Sequence, residues 1–73
     1  MGGNDLKKAE RLFRSKKYSK ILGLLEPQVF RYRESFRFFY LLGMSCLHTG
    51  DYGGAYSYLQ RALNIRSGHT DTL

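Results

Sequence analysis

Apolar residues recur every three or four positions through most of this chain, and the pattern predicts four helices. From Leu6 to Arg14 cations occupy most of the positions between the apolar residues, and Asn4 or Asp5 is expected to cap the start of this helix. A second apolar set at 21–25 is followed by Pro27, which lacks an amide hydrogen and clashes with the preceding turn. We therefore expect the second helix to stop or kink near Glu26. Residues 28–35 are either a kinked continuation or an irregular connector.

The segment 35–50 carries the clearest helical pattern. Ser35 or Glu34 stands where a helix N-cap is expected, and Gly50 stands where a helix would end. The apolar residues between them surround most of the helix circumference, which predicts burial on nearly all sides. The stretch "TGDYGG" at 49–54 supplies a turn, and a fourth helix is expected from about Tyr52 to Arg66.

The two predicted helix pairs are related by a shift of 34 residues. The superimposed residues include Tyr18 with Tyr52, Leu25 with Leu59, Ala9 with Gly43, Phe13 with Leu47, and Val29 with Leu63. Two helix–turn–helix units of equal length, at 2–35 and 36–69, account for these matches. By the same period, residues 70–73 would begin a third unit.

The second unit resembles the tetratricopeptide repeat family, whose pattern is W-x2-L-G-x2-Y, then A-x3-F, then P. The residues that carry the resemblance are Phe39, Leu42, Gly43, Cys46, Ala55, Leu59 and Ala62. The chain departs from the family pattern where Cys46 replaces an aromatic residue and Ser67 replaces the final proline. The first unit matches more loosely, through Ala9, Tyr18 and Leu25. The resemblance implies one all-α domain over residues 1–73, an α-solenoid segment of four antiparallel helices.

Small side chains in the second unit predict close helix packing. Gly43 and Ala55 remove bulk where the two antiparallel helices would cross, and Ala62 is expected to do so against a following helix. A bulky replacement at Gly43 should therefore overpack the helix pair.

The resemblance also implies a concave groove, lined by the first helix of each unit, that binds a peptide or helix of a partner protein. The positions that match the groove are Leu6, Glu10, Phe13, Arg14, Arg37, Tyr40, Met44, Leu47 and His48. Adaptable Met44 and rigid Tyr40 suit a hydrophobic ligand, and Arg14 and Arg37 at the edge suit acidic residues beside it. We therefore expect a scaffold or adaptor in protein–protein interaction.

The last predicted helix presents a second apolar face, formed by Tyr56, Leu59 and Leu63. In a repeat array such a face packs on the next helix or on a capping helix. Two explanations stay open: the chain is a fragment of a longer array, or it associates with itself as a homo-oligomer, of which a dimer is the simplest.

Positive charge is concentrated in the first unit. The net charge is +6, and residues 1–34 hold nine Lys or Arg against four acids, whereas residues 35–73 hold three against two. An alternative function is therefore nucleic-acid binding by a helical scaffold with its basic unit against phosphate. Aromatic residues do not interleave Lys7, Arg11 and Arg14, so a solvated face is the simpler interpretation of this stripe.

The reactive residues do not form a catalytic or metal-binding pattern. Cys46, the single cysteine, cannot form an internal disulfide and is expected to be a small buried hydrophobe. His48 and His69 have no Cys or carboxylate at ligand spacing, and no nucleophile–base pair is evident. We expect no enzyme activity, metal or cofactor. Without an apolar run of ~20 residues, no membrane span is predicted, and a cytoplasmic location is the expectation.

Overall fold

Helices make up all the regular secondary structure in the part of the chain that the structure describes. The computed structural model describes the backbone of residues 2–67 and the side chains of residues 5–66. The elements are α1 (Gly2–Arg14), α2 (Tyr18–Leu25), α3 (Phe36–Thr49) and α4 (Tyr52–Ser67), with one 3-10 turn (Glu26–Gln28) after α2. The all-α class predicted from the periodicity is confirmed. The proposed start of a third unit at 70–73 lies outside the described residues.

Helix α1 begins earlier than its apolar pattern indicates. It starts at Gly2, so Asn4 and Asp5 lie within the helix, and the prediction that one of them caps its start is wrong. Asp5 in the first turn still complements the positive end of the helix dipole. After Arg14 the chain reverses through a turn in which Lys16 has a left-handed backbone with φ of 61°. Amide groups of this turn close it by donating to carbonyls in the last turn of α1.

The segment after α2 is an irregular connector, as one of the two sequence alternatives stated. Helix α2 ends at Leu25, and Pro27 stands in the 3-10 turn that follows. The Gln28 side chain donates a hydrogen bond to the Leu24 carbonyl at 2.9 Å. Farther along the connector, the Tyr32 hydroxyl donates to the Asp5 carboxylate at 3.4 Å. These contacts fasten the connector to α2 at one end and to α1 at the other.

Both ends of α3 are set by the residues that the sequence indicated. The Ser35 Oγ accepts a hydrogen bond from the Phe38 amide at 3.2 Å, which satisfies one of the free donors at the helix start. Gly50 adopts a left-handed conformation with φ of 91°, and glycine alone reaches that conformation without steric cost. The Asp51 carboxylate then accepts from the Gly54 amide at 3.1 Å, which caps the start of α4.

Helix α3 lies at the centre of the molecule and packs against α1, α2 and α4. The buried core residues are Ala9, Ile21, Leu25, Phe38, Phe39, Leu41, Leu42 and Ala62. Ala62 therefore packs within this core, and the following helix that its position in the repeat implies lies outside the described residues. Tyr40 and Leu47 on α3 are exposed, so the prediction of burial on nearly all sides of this helix is wrong on one side.

Helices α3 and α4 pack antiparallel and very closely. The Arg66 guanidinium lies over the Phe36 ring at the start of α3, and Leu59 lies against Gly43 in its middle. Cys46 near the end of α3 lies beside Gly54 at the start of α4, so residue numbers rise on one helix as they fall on the other. A β-carbon placed on Gly43 would lie 2.5 Å from the Leu59 Cγ, which shows that only a glycine permits this approach. Among the described helices, none combines the length and the apolar character that crossing a membrane would need.

Candidate interaction surface

The apolar groove residues of α1 contribute mainly to internal packing. Leu6 and Phe13 are half-buried and pack against the core. Met44 on α3 is also half-buried. Arg14 is exposed at the end of α1. The structure therefore offers only part of the apolar surface of these residues to a partner.

An ion pair joins α1 to α3 across the predicted groove. The Arg37 guanidinium donates to the Glu10 carboxylate at 2.6 Å, and this is the only salt bridge among the described residues. The two side chains are 66% and 37% exposed, so the pair contributes at most about 1 kcal/mol to stability. The pair has a larger consequence for partner binding than for stability, because two of the predicted groove residues already bind each other.

Three aromatic rings gather at the opposite end of the groove. The His48 ring stacks on Tyr18, with 4.3 Å between centroids and 8° between planes. Phe13 meets Tyr18 edge-on at 5.4 Å and His48 edge-on at 6.1 Å. The sequence indicated Tyr18 only as a residue that matches the repeat pattern. Because the ring stacks on His48, it ties the start of α2 to the end of α3.

The largest apolar exposure on α3 lies on the side next to α4. Tyr40 is 42% exposed and Leu47 is 40% exposed. They stand three residues before and four residues after Gly43, so both lie on the same face of the helix as that glycine. These two residues are the exposed apolar residues of the predicted groove.

The exposed residues of α4 border the same helix crossing. Tyr56 is 69% exposed and Leu63 is 59% exposed, and they lie three residues before and four residues after Leu59. Leu59 itself turns inward against Gly43, so it is not a freely exposed member of the predicted self-association face.

Because Gly43 contacts Leu59, the groove residues of α3 and the outer residues of α4 surround one contact point. We call this surface the α3–α4 patch, and it consists of Tyr40, Leu47, Tyr56 and Leu63. The sequence indicated two separate surfaces. One sequence signal could have joined the two surfaces: Gly43 and its contact partner Leu59 are each flanked by large apolar residues at i−3 and i+4.

Little charge lies on the α4 side of the patch. Between Tyr52 and Leu63 the only charged residue is Arg61, and its guanidinium lies over the Phe39 ring, 5.4 Å from the centroid. At the other end of the patch the Tyr40 ring stacks on Phe36 at 5.8 Å. The patch therefore offers aromatic and aliphatic surface with cations only near its margin.

Cys46 lies in an environment that makes its thiol unreactive. Burial raises the pKa of the thiol above its ordinary value of 9.0, and the carboxylates of Asp51 and Glu26 raise it further. The same causes, led by burial, raise the pKa of the nearby Tyr58 hydroxyl. A protonated, buried thiol is neither a nucleophile nor a metal ligand. No group of three His, Cys, Asp or Glu residues in the described part of the chain is arranged to hold a metal ion.

Raising the pH through the pKa of Cys46 should lower the free energy of unfolding. The folded-state pKa lies above the unfolded value, so the stabilisation is complete below pH 9.0 and is lost as the pH rises through the folded-state pKa. Urea denaturation followed by circular dichroism, at intervals from about pH 8 to about pH 10.5, measures the loss. A Cys46→Ala variant should show a flatter pH dependence in this interval. Equal slopes for the two proteins would contradict the assignment.

Three surface hollows lie away from all nine predicted groove residues. Their volumes are about 360, 410 and 330 Å³, and the second is lined by Glu26, Asp51, Gly54, Ser57, Tyr58 and Arg61. None of these three hollows is lined by a residue of the α3–α4 patch, and an exposed helical surface suits another helix better than a small molecule.

Comparisons with known proteins identify no relative. No protein-family model matches the sequence, no curated protein matches it significantly, and no solved structure matches its fold significantly.

Proposed function

We propose that this protein is a helical-repeat interaction module that binds an amphipathic helix of a partner protein on the α3–α4 patch. The observation that carries the proposal is the exposure of Tyr40, Leu47, Tyr56 and Leu63 around the close contact of Gly43 with Leu59. Isolated exposed apolar residues are ordinary, whereas residues grouped around one crossing are typical of an interaction site.

The first helix pair supports a helix as the occupant. Under the 34-residue shift the patch residues correspond to Leu6, Phe13, Leu22 and Val29. All four of these are partly buried against the core, to which α3 contributes four residues. These positions are therefore partly buried in the first helix pair, whereas the corresponding positions are exposed in the second pair. A partner helix on the patch would bury apolar side chains as α3 does on α1 and α2, and this correspondence also favours the tetratricopeptide-like interpretation.

The chemistry of the surface defines the partner. The patch is apolar, so the partner helix needs apolar residues at i, i+3 or i+4, and i+7. Arg37, three residues before Tyr40 on α3 and largely exposed, favours acidic residues beside that stripe. Because the contact is mainly apolar, its affinity should depend little on salt.

A synthetic helix tests the proposal. The probe is a fluorescein-labelled amphipathic peptide of about 15 residues, with leucines on one face and flanking glutamates. Fluorescence anisotropy should show saturable binding that weakens about tenfold in Tyr40→Ala and in Tyr56→Ala, since buried tyrosines are common hot spots. Phe30→Ala is the matched control, because Phe30 is 87% exposed on the connector and outside the patch. Equal affinity of the patch variants and the wild type would exclude the patch as the site.

A second copy of the chain is the other occupant that the patch favours. In a chain with a net charge of +6, a nearly uncharged surface is where two copies meet with least repulsion. Light scattering from micromolar to millimolar concentration should then approach twice the 8.5 kDa mass of one chain. Leu63→Ser should shift the equilibrium toward the monomer. A monomer at every concentration would exclude self-association.

A further inference from the structure

The outer face of α1 and of the turn into α2 carries only cations and serines. Every exposed residue between positions 7 and 20 is Lys, Arg or Ser. The cations are Lys7, Lys8, Arg11, Arg14, Lys16, Lys17 and Lys20. We call this surface the α1 basic face.

The fold turns the acidic residues of α1 away from this face. Asp5 accepts a hydrogen bond from Tyr32 of the connector, and Glu10 pairs with Arg37 of α3. None of the seven cations forms a salt bridge within the described part of the chain. Their charge is therefore uncompensated by neighbouring carboxylates and is available to an external anion.

The composition of the face distinguishes among anionic partners. Protein interfaces have apolar and aromatic centres and are depleted in lysine, whereas nucleic-acid interfaces are polar and strongly positive. The α1 basic face has no exposed apolar residue. Ala9, on the opposite side of α1, is fully buried, so α1 cannot insert an apolar face into a lipid surface without unfolding the domain.

We propose that the α1 basic face binds the phosphate backbone of duplex nucleic acid without sequence preference. Duplex DNA presents about one negative charge per 1.7 Å of axis, the densest regular anion among these partners. Base recognition is not expected, because this face has no exposed aromatic ring for stacking, and no salt bridge within the described residues fixes its side chains for groove contacts. This site is separate from the α3–α4 patch and does not depend on it.

The test is a salt titration with a fluorescein-labelled 20-base-pair DNA duplex of mixed sequence. With three or more phosphates neutralised, the association constant should fall about fortyfold between 50 and 200 mM KCl. Lys7→Gln with Arg11→Gln should weaken binding about tenfold at 100 mM KCl and lower the salt slope by about two. Both side chains are exposed, so circular dichroism should show an unchanged fold.

A charge-matched variant isolates the face from the net charge. Arg61→Gln with Arg66→Gln removes the same charge from α4, where the two guanidinium groups lie over Phe39 and Phe36. This control should change DNA affinity by less than about twofold. Equal loss in the two double variants would attribute binding to net charge and overturn the proposal. Binding to phosphatidylserine vesicles but not to the duplex would overturn it as well, in favour of a membrane surface.

Discussion

Phe39→Ala should unfold most of the protein. Phe39 has no exposed surface, meets Phe38 edge-on at 5.1 Å, and has the Arg61 guanidinium over its ring. Removing a buried aromatic side chain of this kind costs about 3–5 kcal/mol, from lost transfer free energy and the cavity left behind. A small domain has little more than that in total. Urea denaturation followed by circular dichroism measures the loss.

Phe30→Ala is the matched control for this substitution. It removes the same atoms from a side chain that is 87% exposed, so the free energy of unfolding should change by less than about 0.5 kcal/mol. Phe39→Leu, which keeps most of the volume, should lie between the two and remain measurable if the alanine variant is already unfolded in buffer. Similar stability of the Phe39→Ala and Phe30→Ala variants would contradict the described core.

Gly43→Ala should destabilise the protein by about 1–3 kcal/mol, although alanine is the better helix former. The new β-carbon would lie 2.5 Å from the Leu59 Cγ and 3.2 Å from the Leu59 amide nitrogen. The Leu59 side chain can rotate away, but its amide belongs to the backbone of α4, so the helix itself must shift. The same denaturation experiment measures the difference from wild type.

Two further variants identify the cause of this loss. Gly23→Ala is the control, because nothing lies within 4 Å of a β-carbon at that helical position, and it should stabilise by about 0.5–1 kcal/mol. Leu59→Ala should cost less in the Gly43→Ala background than in the wild type, which a double-mutant cycle detects as coupling. If Gly43→Ala stabilised the protein as Gly23→Ala does, the close crossing of α3 and α4 would be wrong.

Helix ends were predictable where their causes are local. Ser35, Gly50 and Pro27 act on backbone groups within four residues, through a side-chain acceptor, a left-handed conformation and a missing amide hydrogen. The start of α1 was predicted wrongly because the apolar pattern begins at Leu6, whereas the helix continues toward the N-terminus to Gly2 without apolar residues. An apolar pattern cannot indicate a helical turn that contains no apolar residue.

The candidate site was predictable only in part. The family resemblance implied that Tyr40 and Leu47 line a groove, and the helical period placed Tyr56 and Leu63 on the outer face of the last helix; all four are exposed. The sequence did not indicate that Leu6 and Phe13 are partly buried against the core. A helical period shows that a residue is on an apolar face, but it does not show which neighbouring element covers that face.

The sequence alone determined four features: the helical class, the interruption at Pro27, the ends of α3 and the need for a small residue at Gly43. Each of them depends on neighbours along the chain or on side-chain size. Tertiary structure alone decided which distant residues meet. Glu10 pairs with Arg37 across 27 positions, and His48 stacks on Tyr18. These contacts, and the union of two apolar faces around the Gly43–Leu59 contact, depend on the angles and offsets at which helices cross. Those quantities come from the packing of whole faces and are not encoded in the spacing of residues along any one helix.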